Sequence, residues 1–180
     1  TDGTSTTLSA IIAGTVTLKV KRVVASSNPT ATAVVALAGG PGQAALPVAT
    51  EFASILGPSL ATRDLLVFDQ RGTGSSGRLS CPAFDRLVIS IVDAAAQCAN
   101  QLGPARGFYR TSDSVDDIEA LRVESGDQKL VLFGVSYGTK VALDYAAKYP
   151  ANVESLVLDS VVLPEGSDVL NVSTFKTMPR

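Results

Sequence analysis

The first half of the chain contains two kinds of apolar pattern. Between residues 14 and 26, Leu18 and Val20 alternate with lysines, whereas residues 1–13 give no clear pattern. Because side chains of a strand point alternately to opposite faces, this period of two predicts a half-exposed antiparallel strand at the edge of a sheet. Residues 33–38 are instead continuously apolar, which is typical of a strand buried on both faces.

The rest of the chain alternates such apolar runs with helical segments. Residues 65–68, 130–133 and 155–158 predict three more buried strands. Strands that alternate with helices at this spacing predict an α/β fold with a doubly wound, mostly parallel sheet. Ser112 or Ser114 is expected to cap one of the helices. The predicted helices cover residues 46–56, 82–102 and 137–149, with a further helix through residues 116–121.

Composition and charge narrow the function classes. The 180 residues suffice for one domain with a substantial core, and 46% hydrophobic with 18% charged residues indicates a globular protein. A net charge of −2 gives no reason to expect nucleic acid or an anionic membrane surface as a partner. The apolar runs are shorter than the roughly 20 residues that cross a bilayer. The sequence has no histidine, the usual general base near neutral pH.

Residues 134–138 carry the strongest chemical signal. They have the sequence Gly-Val-Ser-Tyr-Gly and lie between a predicted buried strand and a predicted helix. In that context the pattern indicates a nucleophilic serine with a strained backbone, because Gly134 and Gly138 leave room for a tight strand-to-helix turn. The turn exposes the hydroxyl of Ser136 at a helix N-terminus, where the helix dipole favours developing negative charge. The alternative is a glycine-flanked turn in which Ser136 only caps the helix.

A Gly-Gly-Pro-Gly turn at residues 39–42 follows the first continuously apolar strand. Acyl transfer by a serine of this kind needs two backbone N–H groups to hold an oxyanion, and one comes from the residue after the nucleophile, here Tyr137. Gly40 is the candidate for the second donor, because a residue without a Cβ permits close approach and Pro41 has no N–H. A plain turn without a chemical role is the alternative.

The chain has two cysteines, Cys81 and Cys98. Nothing around them has the spacing of metal ligands, so no zinc or other metal site is expected. A disulfide between them would close a short loop and stabilise an exported protein by about 3 kcal/mol. The alternative is two independent small apolar residues.

Several of these segments together resemble a known family. Residues 39–42, 69–76 and 134–138 look like the prolyl aminopeptidase and tripeptidyl aminopeptidase group of α/β-hydrolases, and residues 155–159 fit that group as well. The segment that holds the cysteines resembles the exported tripeptidyl aminopeptidase branch, where such cysteines can be bridged. The resemblance and the start at Thr1 favour a secreted or periplasmic protein. No cofactor is expected.

The resemblance also implies which parts of the machinery lie elsewhere. Members of the group continue after the last of these strands with a helical cap domain, and then return to the sheet with an aspartate and a histidine. This chain ends at Arg180, about where a cap would begin. We therefore expect residues 1–180 to be the N-terminal portion of an α/β-hydrolase domain, without the cap domain and C-terminal strands. A complementary C-terminal polypeptide is expected to supply the aspartate and the histidine.

Three charged residues that follow predicted strands have competing interpretations. Asp69 and Arg71 are expected to brace their loop through ion pairs and backbone hydrogen bonds rather than to perform chemistry. Asp159 lies where a few lipases place the triad acid, whereas the resembled group takes that acid from a later strand.

The predicted function is that of a serine hydrolase acting by acyl transfer on a peptide or ester substrate. An exopeptidase that releases short peptides or amino acids from N-termini is the first hypothesis, because it follows the resemblance. A carboxylesterase of the same fold is the second. A third belongs to another class: without a base the serine stays a weak nucleophile, and the chain would act only as a scaffold.

Overall fold

The computed structural model of the chain describes residues 5–11, 15–85 and 90–164. Within these ranges six strands form one sheet in the order β1-β2-β4-β3-β5-β6. The pairs β1–β2 and β2–β4 are antiparallel, and β4–β3, β3–β5 and β5–β6 are parallel. The strands are β1 (Ser5–Ile11), β2 (Thr15–Val23), β3 (Thr32–Leu37), β4 (Leu65–Phe68), β5 (Lys129–Val135) and β6 (Val153–Asp159).

Helices cover both faces of this sheet. Helix α1 packs on one face, and α4 and α5 pack on the other. The predicted α/β fold with a mostly parallel, doubly wound sheet is therefore confirmed. The α-helices are α1 (Ala49–Leu56), α2 (Pro82–Asp85), α3 (Ile91–Leu102), α4 (Thr111–Ser125) and α5 (Tyr137–Lys148). Short 3-10 turns cover Leu46–Val48, Gly57–Ala61, Gly103–Phe108 and Pro150–Asn152.

Strand β3 shows why the central strands are continuously apolar. Its side chains alternate between two cores: Val35 and Leu37 face the core with α4 and α5, and Val34 and Ala36 face the core with α1. All six residues of Thr32–Leu37 are buried. A strand covered on both faces has no position at which a polar side chain reaches water, so the period of two disappears from its sequence.

Two strand predictions were wrong, one about the position of a strand in the sheet and one about the burial of a strand. Strand β2 is antiparallel and half-exposed as predicted, but it is not an edge strand, because β1 pairs with it on its far side. Strand β6 is not buried on both faces: Leu156 and Leu158 pack toward the core with α5, whereas Val157 is 46% exposed. In the described part of the chain β6 has a neighbour only at β5, and no helix covers its second face.

The helix boundaries also differ from the predicted ones. The segment 46–56 begins as a 3-10 turn before α1, and the segment 82–102 contains α2 and α3, with residues 86–89 outside the described residues. Helix α4 begins at Thr111, so neither Ser112 nor Ser114 is its cap. Instead the carboxylate of Asp113 accepts the backbone N–H of Arg110 at 2.8 Å. The predicted start of a cap, about residues 171–180, lies outside the described residues.

Candidate active site at the carboxyl end of β5

Ser136 forms the turn between β5 and α5. Its backbone has φ 52° and ψ −120°, and it shares positive φ with only one other non-glycine residue of the described chain, Ser160. A side chain in this region costs about 1–3 kcal/mol and persists only where the surroundings determine it. The turn thus has the strained geometry that the glycine-flanked motif predicted for Ser136.

The two flanking glycines are required by close backbone packing. A Cβ on Gly134 would lie 2.6 Å from the carbonyl oxygen of Gly138. A Cβ on Gly138 would overlap the carbonyl oxygen of Leu37 and lie 2.9 Å from that of Ala38. The first turn of α5 therefore touches β5 on one side and the end of β3 on the other, and only hydrogen fits at either contact.

The peptide groups on both sides of Ser136 are fixed by hydrogen bonds. Its N–H donates to the carbonyl of Asp159 at the end of β6, at 2.9 Å. Its carbonyl accepts the N–H of Thr139 at 2.9 Å and the hydroxyl of Thr139 at 2.6 Å. The hydroxyl of Ser136 makes no capping hydrogen bond to α5, although Ser136 is the N-cap residue. The geometry therefore does not use this hydroxyl to cap the helix.

Tyr137 is the first residue of α5, so its N–H lies at the positive end of the helix dipole. Its ring is half-buried against the core, and its hydroxyl shares a 2.9 Å hydrogen bond with the hydroxyl of Thr111 at the start of α4. Sequence reasoning assigned no role to the Tyr137 hydroxyl and did not single out Thr111. Nothing in the local pattern links two residues 26 positions apart.

The structure brings the Gly-Gly-Pro-Gly turn to Ser136. A Cβ on Gly39 would lie 3.2 Å from the Cβ of Ser136, so the start of the turn touches that side chain. Gly40 is exposed and has φ 106°, a conformation that side chains rarely adopt. A Cβ on Gly40 would also lie 2.7 Å from the backbone nitrogen of Gly42. Of the two candidate oxyanion donors, Tyr137 directly follows Ser136 in the sequence. Gly40 directly follows Gly39, the residue that touches the Ser136 side chain.

Asp69 is buried at the end of β4 and organises the loop that follows. One carboxylate oxygen accepts the N–H of Leu46 at 2.9 Å, and the other accepts the N–H of Ser75 at 2.7 Å. A Cβ on Gly74 would overlap this carboxylate. Asp69 therefore joins its own loop to the turn before α1, which is the bracing role expected of it.

Arg71 is buried as well and forms the second brace. Its guanidinium binds both carboxylate oxygens of Asp117 at 2.7 and 2.6 Å and donates to the carbonyl of Phe108 at 2.9 Å. Burial raises the pKa of the Asp117 carboxyl, and the hydrogen bonds from Arg71 oppose that rise. The pair therefore joins the loop after β4 to α4. This agrees with the expectation that Arg71 braces its loop through an ion pair, although the sequence did not name the partner.

Asp159 contributes its backbone to the site. Its carbonyl accepts the N–H of Ser136, while its exposed side chain accepts the hydroxyl of Ser160 at 2.8 Å. The hydrogen-bond partner of the Asp159 carboxylate in this structure is therefore Ser160, the next residue in the chain.

Cys81 and Cys98 form a disulfide that joins the residue before α2 to the middle of α3, with 5.5 Å between their Cα atoms. Among the described residues, no group of three or more histidine, cysteine, aspartate or glutamate side chains comes together as a metal site. In the same part of the chain, no helix combines the length and the apolar character needed to cross a membrane.

Comparison with known proteins agrees with this architecture. The family model described as alpha/beta hydrolase fold matches residues 32–178. The chain belongs to the alpha/beta hydrolase fold family. The match begins with β3 and includes β4, β5, the serine turn and β6.

Several relatives with similar sequences are peptidases by name. The chain is 30% identical over 148 residues to tripeptidyl aminopeptidase of Streptomyces lividans, covering 70% of this chain and 28% of that protein. It is 31% identical over 145 residues to proline iminopeptidase of Neisseria meningitidis, covering 81% of this chain and 37% of that protein. Serine protease Hip1 of Mycobacterium tuberculosis is 30% identical over 155 residues. The expected resemblance to prolyl and tripeptidyl aminopeptidases is confirmed.

A solved structure shows the same fold. The proline iminopeptidase-related protein of Thermus thermophilus superposes with a TM-score of 0.56 at 22% identity, covering 86% of this chain and 44% of that protein. The chain thus spans about 28% of the length of the first of these relatives and less than half of this structure.

Proposed function

We propose that this chain provides the nucleophile of a serine hydrolase that acts by acyl transfer. One observation carries the proposal: Ser136 has a strained backbone between two obligatory glycines at the N-terminus of α5, and its hydroxyl does not cap that helix. A strained turn that no structural role of the hydroxyl explains is typical of a functional site. The peptidase names of the relatives support the same chemistry.

In the proposed reaction the Ser136 oxygen attacks the substrate carbonyl while a base takes its proton. The carbonyl oxygen becomes an oxyanion that accepts hydrogen bonds from the N–H groups of Tyr137 and Gly40. The C–N or C–O bond to the leaving group then breaks, and the base returns its proton to that group. Water attacks the acyl-serine in the same way and releases the acid, so Ser136 regains its proton.

We propose that the base comes from outside these 180 residues, because they contain no histidine, the usual general base near neutral pH. An unassisted serine hydroxyl is a weak nucleophile at neutral pH. We therefore propose that polypeptide outside this sequence supplies the aspartate and histidine of the triad. The greater length of the relatives supports this assignment, since each has more than half of its chain outside the matched region.

We propose an N-terminal exopeptidase as the substrate class, following the names of the relatives. A carboxylesterase uses the same nucleophile and oxyanion donors and differs in what surrounds the acyl group. A free amino terminus on the substrate distinguishes the two classes. An exopeptidase of this kind depends on it, whereas an esterase hydrolyses p-nitrophenyl acyl esters without one.

The first test is covalent labelling with a fluorophosphonate, in which the serine oxygen displaces fluoride from phosphorus. The native protein is treated, and intact mass under native and denaturing conditions then shows which polypeptide carries the label. We expect one label on Ser136, none in Ser136→Ala, and unchanged labelling in Ser112→Ala, an exposed serine in the first turn of α4. Absence of label from a folded sample in which the native mass includes a histidine-bearing polypeptide would show that the chain is a scaffold rather than the nucleophile.

The second test compares substrates in the same native preparation. A tripeptide p-nitroanilide with a free amino terminus, its N-acetylated form and p-nitrophenyl butyrate are measured side by side, on a portion kept free of the label. An exopeptidase should cleave the first substrate and lose most of its rate on the acetylated one. Equal rates on both peptides would exclude dependence on a free amino terminus and with it the exopeptidase. Turnover of the ester alone would exclude the exopeptidase and support the carboxylesterase.

A further inference from the structure

Thr139 joins the serine turn to the chain that leaves β6. Its side chain is fully buried, and its hydroxyl donates to the carbonyl of Ser136 at 2.6 Å. The same hydroxyl accepts the N–H of Val162 at 2.8 Å. A carbonyl can only accept and an N–H can only donate, so both directions are fixed. The result is a polarised chain of two hydrogen bonds that ends on the nucleophile's own peptide group.

The contact with Val162 separates this residue from an ordinary helical threonine. Threonine in a helix commonly returns its hydroxyl to a carbonyl one turn earlier, and such a bond alone would be local. Here the hydroxyl also reaches 23 residues along the chain. Lys140 adds a second tie, because its ammonium donates to the carbonyl of Pro164 at 2.6 Å. We call residues 160–164 the exit segment.

The exit segment is thus fixed to the first turn of α5, and Ser136 is fixed to both. The N–H of Ser136 donates to Asp159, the residue just before the exit segment, and its carbonyl receives the Thr139 hydroxyl. A φ of 52° in a serine persists only while such contacts hold it. A shift of Val162 would leave the Thr139 hydroxyl without its donor and weaken the bond that orients the Ser136 carbonyl.

We propose that Thr139 is a positioning residue that couples the exit segment to Ser136, so that the reactivity of the serine depends on the place of that segment. The inference rests on the proposed role of Ser136 as nucleophile. It goes further in assigning a control on that nucleophile to the chain that leaves β6. Thr139 itself touches no substrate in this scheme and acts through the Ser136 peptide group.

Three variants test the coupling. Thr139→Val keeps the shape of the side chain and removes both of its hydrogen bonds, whereas Thr139→Ser keeps the hydroxyl. Val162→Pro leaves Thr139 unchanged and removes the backbone N–H that donates to it, at a position outside the core. Two quantities are measured on each: amide hydrogen exchange of the peptide over residues 160–164, and the rate of fluorophosphonate labelling of Ser136. Exchange of the peptide over β3 reports whether the fold is intact.

We expect Thr139→Val to speed exchange in the exit segment and to slow labelling, each by about tenfold, which is the effect of losing one or two ordinary hydrogen bonds. Val162→Pro should slow labelling in the same direction, while Thr139→Ser should stay within about threefold of wild type on both measures. The β3 peptide should keep its protection throughout.

Other results would overturn the coupling. Unchanged labelling in folded Thr139→Val and Val162→Pro would reduce Thr139 to a packing residue, and so would a loss in Thr139→Ser equal to that in Thr139→Val. If wild-type Ser136 is not labelled at all in a sample that contains the histidine-bearing polypeptide, the proposed function fails. The coupling is then decided by exchange alone, and it fails too if Thr139→Val leaves the exit segment as protected as in wild type.

Discussion

Two neighbouring regions of this molecule are held in place by different means. The serine turn, residues 134–139, is enclosed by backbone on two sides, and even one added carbon on Gly138 would overlap β3. The excursion, the described residues 69–85 and 90–110 between β4 and α4, is instead held largely by side-chain ties. These include the hydrogen bonds of Asp69, the buried pair of Arg71 and Asp117 and the disulfide near its middle.

Exposure shows the same difference. The residues that crowd the turn belong to the sheet core, whereas α3 of the excursion presents Ile91 at 78% and Val92 at 77% exposure. A region fixed by close packing has no inexpensive alternative arrangement, because interiors are packed at crystal-like density. A region fixed by separate ties loses order one tie at a time. The two regions should therefore respond differently to substitution.

The largest effect is expected from Gly138→Ala. The added Cβ would meet three backbone atoms of Leu37 and Ala38, none of which can move without shifting β3. We expect a loss of at least about 4 kcal/mol in unfolding free energy, or no folded protein, measured by urea denaturation. Gly107→Ala is the matched control, since a Cβ there meets only the Arg110 side chain at 3.9 Å. Equal stability of the two variants would show that the turn is not closely packed.

The next effect concerns the tie at the root of the excursion. Arg71→Met would leave the buried Asp117 carboxylate without its partner, which costs about 3–5 kcal/mol in unfolding free energy at neutral pH. Loss of the arginine also removes the influence that opposes the burial-raised pKa of Asp117, so that pKa rises further. A raised folded pKa of an acid means that stability is regained as pH falls, and the deficit should shrink in acid.

Two comparisons sharpen the Arg71 test. Lys148→Met breaks the exposed pair of Lys148 and Asp116 and should cost no more than about 1 kcal/mol. Arg71→Met combined with Asp117→Leu removes both charges and should recover much of the loss. A deficit in Arg71→Met that is the same at every pH would contradict the unpaired-carboxylate explanation.

A smaller effect is expected from the disulfide. Replacing Cys81 and Cys98 together by serine should lower the unfolding free energy by about 3 kcal/mol, because the bridge closes a loop of 17 residues. The rate of Ser136 labelling should stay within about twofold of wild type, since the turn does not depend on this tie. Denaturation and labelling on the same samples check both statements. Slower labelling of the folded variant would show that the excursion also positions the serine.

The same contrast explains what the sequence could predict. The run 65–68 and the turn at 134–138 are local patterns, and the structure has β4 at those residues and the predicted strained turn at Ser136. The wrong strand predictions concern properties that depend on distant parts of the chain. The place of β2 depends on pairing with β1, and the exposure of β6 depends on what lies beyond it.

Hydrogen bonds made by side chains were the other gap in prediction. The start of α4 is fixed by the Asp113 carboxylate on the Arg110 N–H, although two serines nearby offered more conventional caps. The contact of Thr139 with Val162 spans 23 residues, and no periodicity encodes it. The positions of the central strands and of the serine turn were therefore predictable from local sequence patterns, whereas the partners of individual side chains required the fold.

The smallest effect tests the helices behind the serine turn. Glu119 on α4 accepts hydrogen bonds from Arg122, from the Tyr145 hydroxyl on α5 and from the Asn152 amide. The bonds from Arg122, helped by Tyr145, hold the pKa of Glu119 below its ordinary value against the effect of burial. Glu119→Gln should lower the unfolding free energy by about 1 kcal/mol at neutral pH. Glu124→Gln, an exposed change on the same helix, is the control and should have no measurable effect.

The sign of the pH dependence makes the Glu119 test specific. A carboxylate whose folded pKa is lowered contributes stability above its ordinary pKa of 4.5, and that contribution is lost as pH falls through the folded value. The gap between wild type and Glu119→Gln should therefore be widest near neutral pH and should narrow as pH falls below the ordinary pKa of 4.5, as measured by urea unfolding. A gap that stays constant into acid would mean that the shape of the glutamate, rather than its charge, joins α4 to α5. The contact between α4 and α5 would then depend on close packing, as the serine turn does at Gly138.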